Sequence, residues 1–130
     1  MKIKTANLKG AALDWAVNEA QSYNTSPLIV YDGCEGEDRN KPRKYLATEG
    51  GFTIDYSNWA QGGPILTRER ISRTIDHSGL WIAYWTDGYT DGDEGKKWMH
   101  CDRDELVAGL RCYVASELGD VVEIPEELCA

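Results

Sequence analysis

The sequence predicts an α+β fold, with a small antiparallel or mixed sheet and two packed helices. Apolar side chains recur at helical spacing near both ends of the chain, whereas the middle holds short β-branched and aromatic runs. The chain has 130 residues, of which 42% are hydrophobic, so it suits one domain spanning 1–130. We find no internal repeat.

Two helices are predicted, near residues 9–22 and 102–118. In the first, apolar positions at helical spacing turn Trp15 toward the body of the protein. The second has Asp102 or Asp104 as its N-cap and Gly119 as its terminator. Its apolar stripe consists of Leu106, Leu110, Tyr113, Val114 and Leu118.

Strands are predicted where apolar residues alternate with polar ones or form short β-branched runs between turn residues. A hairpin is predicted between "LWIAYW" (80–85) and "KKWMHC" (96–101). A flexible loop is expected near 33–44, where the chain is polar and rich in proline and glycine, and an acidic loop is expected near 87–95. The other predicted strands are "MKIKTA" (1–6), "LIVYDG" (28–33), "FTIDYS" (52–57) and Val121–Ile124.

The segment "WAQGGPILTRER", Trp59 to Arg70, is the most distinctive in the chain. Consecutive glycines let backbone amides approach a ligand closely, as in an anion-binding nest, and the indole and the arginines would add a stacking face and positive charge. Residues 65–75 are predicted as a strand, with a Pro-initiated helical turn as the rival. A plain turn with a core Trp and surface arginines remains the alternative to a binding site.

Charge and composition exclude several classes of function. Fourteen basic and 22 acidic side chains give a net charge of −8, which argues against long nucleic acid as a partner. No stretch has the length of a membrane span, and the N-terminus lacks the apolar core of a signal peptide, so we expect no membrane partner. The four cysteines have no Cys-x-x-Cys spacing and are expected to be free thiols.

Catalytic signals are weak. Neither His77 nor His100 lies beside a serine or cysteine in a nucleophile motif, and the acidic loop departs from the pattern of a calcium site. We therefore expect a protein that is not an enzyme and that needs no cofactor or metal. If it were an enzyme acting on nucleotides, Asp55 or His77 would be the candidate acid or base.

Three blocks, "LKGAALDWAV" (8–17), "YSNWAQGGPILTRERI" (56–71) and "LRCYVASELGDVVEIPEEL" (110–128), resemble the phage NinX family. The resemblance implies a phage gene expressed in the host bacterial cytoplasm, but the family name implies no activity. In size, and in its early Trp, Gly-Gly turn and late Arg-bearing helix, the chain also resembles phage sponge proteins that counter Thoeris defence. Those proteins bind a cyclic ADP-ribose-type immune signal without cleaving it, and some also hold cyclic oligonucleotides.

These resemblances imply that the chain sequesters a small phosphate-containing nucleotide. Trp15 or Trp59 would supply the stacking face, and Gly62 and Gly63 the amide donors. The phosphate would be held by Arg68, Arg70 and Arg111.

The alternative is a small acidic phage protein that binds and inhibits a host factor. Its surface would be the acidic loop, with Asp87, Asp91, Asp93 and Glu94, and the acidic tail. With either function we expect a homo-oligomer, a dimer or larger, because five Trp and seven Tyr in so short a chain should leave some aromatic surface exposed.

Overall fold

The computed structural model describes residues 1–21, 28–34, 40–86 and 95–129. The fold class is α+β, as predicted. The helices in these ranges are α1 (Gly10–Gln21), α2 (Trp59–Arg68) and α3 (Glu105–Leu118), with 3-10 turns at Thr5–Asn7 and Glu126–Leu128. The strands are β1 (Lys2–Lys4), β2 (Ile29–Cys34), β3 (Pro42–Ala47), β4 (Thr53–Ile54), β5 (Ser72–Ile75), β6 (Trp81–Thr86), β7 (Lys96–Asp102) and β8 (Val121–Glu123).

The described strands form three small antiparallel sheets, ordered β1-β8, β2-β3-β4 and β5-β6-β7, where one sheet was predicted. The strands divide because α2 separates β4 from β5, and α3 separates β7 from β8. In the first sheet Ile3 pairs with Val122, which brings the two ends of the chain together. The Met1 ammonium group donates to the Ile124 carbonyl at 2.9 Å, next to the paired strands β1 and β8.

Helix α3 lies at the centre of the core. It packs on β6 and β7 and also contacts α1 and α2. Its approach to α2 is close, because a Cβ atom built on Gly109 would come within 2.6 Å of a Leu66 methyl carbon. The fully buried side chains include Leu106, Leu110 and Val114 of α3, which belong to the predicted stripe.

The two predicted helices are confirmed with small shifts at their ends. The Asp104 carboxylate accepts the amides of Leu106 and Val107 at 2.9 and 3.1 Å, so Asp104 is the N-cap of α3. At the other end Gly119 has a φ of 92°, a backbone conformation that glycine adopts without strain. The predicted hairpin of β6 and β7 is also confirmed, with a bulge between Ala83 and Trp85.

The turn predicted at Gly-Gly-Pro and the strand predicted from residue 65 are wrong up to residue 71, and the rival helical assignment is closer to what is observed. The Gly-Gly-Pro sequence lies inside α2 instead of forming a turn, and only Ser72–Ile75 of the predicted strand 65–75 is extended. Asn58 caps the helix by accepting the Ala60 amide at 2.9 Å, and Ile65 and Leu66 turn into the core. The cap and this buried face outweigh the low helix propensity of glycine and proline.

Two loop predictions also change. The expected loop 33–44 is shorter, because its ends belong to β2 and β3, with Gly33 opposite Arg43 and Asp32 opposite Lys44. Residues 35–39, and residues 87–94 of the expected acidic loop, lie outside the described part of the chain. The strand predicted at 52–57 is limited to Thr53–Ile54, because the chain turns after Asp55 to begin α2.

The four cysteines are free thiols, as expected. Cys112 is fully buried in α3, and burial raises the pKa of its thiol to about 12. A thiol that stays protonated at neutral pH is a poor nucleophile, so Cys112 acts as a packing residue.

Candidate functional site

A cavity of about 710 Å³ lies where the N-terminal ends of α1 and α3 face the hairpin of β2 and β3. This volume falls within the range of small-molecule sites. Ala11, Pro42, Val107 and Leu128 supply apolar wall, and Ser57 lies just before α2. The charged lining residues are Lys9, Asp32, Arg43, Lys44 and Asp104.

Gly10 and Ala11, at the start of α1, line this cavity. The Leu13 amide donates to the Lys9 carbonyl at 3.3 Å, but no described group accepts the amides of Gly10, Ala11 or Ala12. Gly10 begins the helix at a φ of 56°, where a larger side chain would be strained. Because Asp104 caps α3, the start of α1 is the helix end at this cavity whose amides are open to a ligand.

Three basic side chains line the cavity, and they differ in how they are held. Lys9 is exposed and has no ion-pair partner among the described residues. Lys44 pairs with Asp32 at 2.6 Å on the exposed hairpin. Arg43 is more enclosed, since its guanidinium lies 4.7 Å from the centre of the Tyr45 ring and contacts two carboxylates behind the cavity.

Those two carboxylates fix Arg43 between α1 and the segment before α2. Asp14 Oδ2 accepts from Arg43 Nη2 at 3.2 Å, and Asp55 Oδ2 accepts from Nη1 at 3.4 Å. Asp14 is 1% exposed, and its Oδ1 accepts the Tyr56 amide at 2.9 Å. Burial raises the pKa of Asp14 to about 7, although the Tyr56 amide and Arg43 act in the opposite direction. Asp14 therefore neutralises Arg43 only in part near neutral pH.

The residues of α2 that the sequence nominated lie elsewhere. The Gly62 amide donates to the Asn58 carbonyl at 2.8 Å within the helix, so Gly62 and Gly63 do not form an anion-binding nest. Gly62 is instead required for packing, because a Cβ atom there would lie 2.1 Å from the Tyr56 carbonyl oxygen. Trp59 is half exposed, with the Arg73 guanidinium 5.9 Å from its ring centre.

The nominated arginines are not brought together. Arg68 is exposed and pairs with Glu69 at 3.0 Å, and Arg70 is exposed at the end of α2. Arg111 is 7% exposed and faces inward, where its Nε donates to the Leu8 carbonyl at 2.8 Å and its Nη1 to Asp102 at 3.0 Å. Trp15 packs partly buried against the core. None of these side chains is among the described residues that line the cavity.

Sequence reasoning missed Lys9, Gly10, Arg43 and Lys44. The last two lie in the segment that was predicted to be a loop, within "KPRK", where three of four residues are basic in an otherwise acidic chain. That local excess of positive charge was the available signal. The amides of α1 had no comparable signal, because their exposure depends on the absence of a capping side chain.

Comparison with known proteins identifies the family. The family model described as "Bacteriophage P22, NinX" matches residues 4–117, a range that includes α1, α2, α3 except for its last residue, and nearly all of the described cavity lining. The chain therefore belongs to the phage NinX family. A search of curated proteins found no match. Among the described residues, no helix is long and apolar enough to cross a membrane.

Proposed function

We propose that this NinX-family protein sequesters a small phosphate-containing nucleotide in the host bacterial cytoplasm without cleaving it. The ligand class is a cyclic nucleotide immune signal of the cyclic ADP-ribose type, with cyclic oligonucleotides as a related class. The observation that carries the proposal is that Gly10 and Ala11, whose amides have no acceptor among the described residues, line the same cavity as Lys9, Arg43 and Lys44.

The chemistry of this cavity suits a phosphate group. Unpartnered amides at a helix N-terminus donate to phosphate oxygens, and the helix dipole favours negative charge at the same place. Arg43 adds a planar guanidinium that its two carboxylate partners hold in position. The apolar wall formed by Ala11, Val107 and Leu128 would cover the sugar or the base.

The groups around the cavity favour binding over catalysis. Asp55, which the sequence nominated as a base, accepts from the Arg43 guanidinium and from the Ser57 hydroxyl. A carboxylate held in this way is a structural partner of Arg43. The described lining contains no histidine or cysteine that could act as a nucleophile or a general base.

Self-association is part of the proposal. Ile29 and Tyr31 of β2 are 50% and 38% exposed, and Phe52 before β4 is 65% exposed. Ile29 and Tyr31 belong to the same sheet as the cavity residues Arg43 and Lys44, and Phe52 directly precedes its strand β4, so a second copy packed there would help to enclose a ligand. Light scattering should then report a mass well above 14.6 kDa, and that value at all concentrations would contradict the oligomer.

Calorimetric titration with cyclic ADP-ribose isomers and cyclic dinucleotides tests the function. We expect heat from at least one of these ligands, and recovery of the same nucleotide, chemically unchanged, after heat denaturation of the complex. Recovery of a cleaved product would identify an enzyme instead. If none of these nucleotides binds, the proposal is wrong.

Two pairs of variants locate the site. Lys9→Ala and Lys44→Ala should each weaken binding, because both side chains line the cavity. Arg68→Ala and Arg70→Ala should leave the affinity unchanged, because neither arginine is among the described lining residues. If Arg68→Ala and Arg70→Ala weaken binding and the two lysine variants do not, the ligand binds at the segment 59–70 that the sequence indicated.

A further inference from the structure

A second and smaller cleft, of about 190 Å³, lies at the opposite end of α3. Its floor is formed by two indoles, Trp85 at the end of β6 and Trp98 on β7, whose ring centres are 5.6 Å apart and whose planes are tilted by 50°. The cleft is completed by Glu69 and Ile71 after α2 and by Ser116 and Glu117 of α3. We call it the tryptophan cleft.

The cleft is separate from the cavity at α1. Asp104 and Val107 line the cavity at the start of α3, whereas Ser116 and Glu117 line the cleft near the end of that helix. At 1.5 Å per residue, the two ends of α3 are about 20 Å apart. A ligand in one site therefore does not occupy the other.

An unusual backbone conformation presents Trp98. Its φ is 55°, a left-handed value that is costly for a large side chain and common only for glycine. The side chain is nevertheless 41% exposed, so burial of the ring compensates little for this cost. The left-handed value falls at the bulge between β6 and β7, and the indole lies at the surface against Trp85.

The charges of the cleft favour a cation. Glu117 is exposed and has no partner among the described residues, and Glu69 is bound to Arg68 at 3.0 Å. None of the described residues that line the cleft is basic. Because Ser116 and Glu117 belong to the last turn of α3, the negative end of the helix dipole adds to the field of the carboxylates.

We propose that the tryptophan cleft binds a single arginine side chain of a partner protein. A guanidinium is planar, so it stacks on an indole face while its edge donates to the Glu117 carboxylate. The small volume admits one side chain, and the net charge of −8 attracts a basic partner from a distance. This interaction is independent of nucleotide binding.

The indole N–H signals in nuclear magnetic resonance spectra of the full chain provide the test. The probe is a short capped peptide with one arginine, and the matched control carries citrulline, which has the same shape without the charge. We expect the arginine peptide to shift the Trp85 and Trp98 signals and the citrulline peptide to leave them in place. Equal shifts with both peptides, or no shift of these two signals, would overturn the proposal.

Variants separate binding from folding. Trp98→Gly keeps the left-handed backbone and removes one ring, and it should weaken binding about fivefold. Glu117→Gln changes one exposed group and should weaken binding about threefold. Trp59→Phe, at an exposed indole outside the described cleft lining, is the control and should have no effect. Unchanged affinity in Glu117→Gln, or tighter binding of tetramethylammonium than of the arginine peptide, would contradict an arginine site.

Discussion

The Arg43 guanidinium donates from Nη2 to Asp14 Oδ2 at 3.2 Å, which joins strand β3 to helix α1 beneath the cavity. Asp14 also accepts the Tyr56 amide, so one buried carboxylate connects α1, the hairpin and the segment before α2. This contact fixes a cationic side chain that lines the same cavity as Gly10 and Ala11 of α1. The candidate site therefore depends on a residue that does not itself line the cavity.

The stability of the protein should reflect the raised pKa of Asp14. Between its ordinary value near 3.8 and its folded value of about 7, the group is ionised in the unfolded chain and protonated in the folded one. Unfolding then releases a proton, so this group makes the protein less stable as pH rises through that interval. In urea titrations, the free energy of unfolding of the parent should decline relative to that of Asp14→Asn from about pH 4 to about pH 7. If the parent instead becomes more stable relative to Asp14→Asn as the pH rises through this interval, the raised pKa of Asp14 is contradicted.

Arg111→Ala should destabilise the fold by about 3–5 kcal/mol, because it removes a buried cation together with its hydrogen bonds to three acceptors. Those acceptors are the carbonyls of Leu8 and Cys101 and the Asp102 carboxylate. Arg68→Ala, at an exposed side chain, should change the free energy of unfolding by less than about 0.5 kcal/mol. Urea denaturation measures both. Equally small changes in the free energy of unfolding for both variants would contradict a structural role for the hydrogen bonds of Arg111.

The two glycines of α2 should respond differently to alanine. Gly62→Ala should cost about 1–3 kcal/mol, because its Cβ atom would lie 2.1 Å from the Tyr56 carbonyl oxygen and close to Leu106. In Gly63→Ala the Cβ atom would lie 3.0 Å from the exposed Trp59 ring, which can move aside. The higher helix propensity of alanine, worth about 1 kcal/mol, should then make that variant close to neutral or more stable. Thermal denaturation measures the stability of both variants, and an equal loss of stability in the two would contradict the helical assignment of this segment.

Arg70→Gly should stabilise the protein by about 1 kcal/mol. Arg70 follows the C-cap of α2 at a φ of 55°, in a Schellman arrangement where the Ile71 amide donates to the Leu66 carbonyl at 3.0 Å. Glycine adopts this conformation without strain, whereas Arg70→Ala retains the strain and should bring no gain. Equal stability of the glycine and alanine variants would show that the left-handed backbone has no measurable cost.

The elements that were predicted correctly are those whose signals are local. Helix α3 carries its apolar stripe, its Asp104 cap and its Gly119 terminator within one segment. Helix α2 was missed because the Gly-Gly-Pro sequence favours a turn locally, whereas the packing of Ile65 and Leu66 is settled by distant parts of the chain. Burial of an apolar face overrides propensity at such a place.

The cavity could not be predicted from local sequence signals either, because distant segments of the chain form it. Lys9 and Arg43 are far apart in the sequence and line one cavity in the fold, where β3 pairs with β2 and Arg43 contacts Asp14 of α1. The inward direction of Arg111 likewise depends on the position of Leu8. Residue types indicated a chain that could hold an anion, whereas the position of the cavity proposed here depends on long-range contacts.

Calorimetric titration of a cyclic nucleotide into a charge-reversed pair of variants tests the central claim most directly. The pair is Lys9→Glu, at the cavity, and Lys97→Glu, at an exposed position of β7 outside the described cavity lining. We expect the parent to bind with a Kd on the order of nM, as sequestration requires, and Lys9→Glu to lose at least about tenfold in affinity. Lys97→Glu should bind as the parent does. Equal affinity of Lys9→Glu and the parent would contradict a nucleotide site at the start of α1.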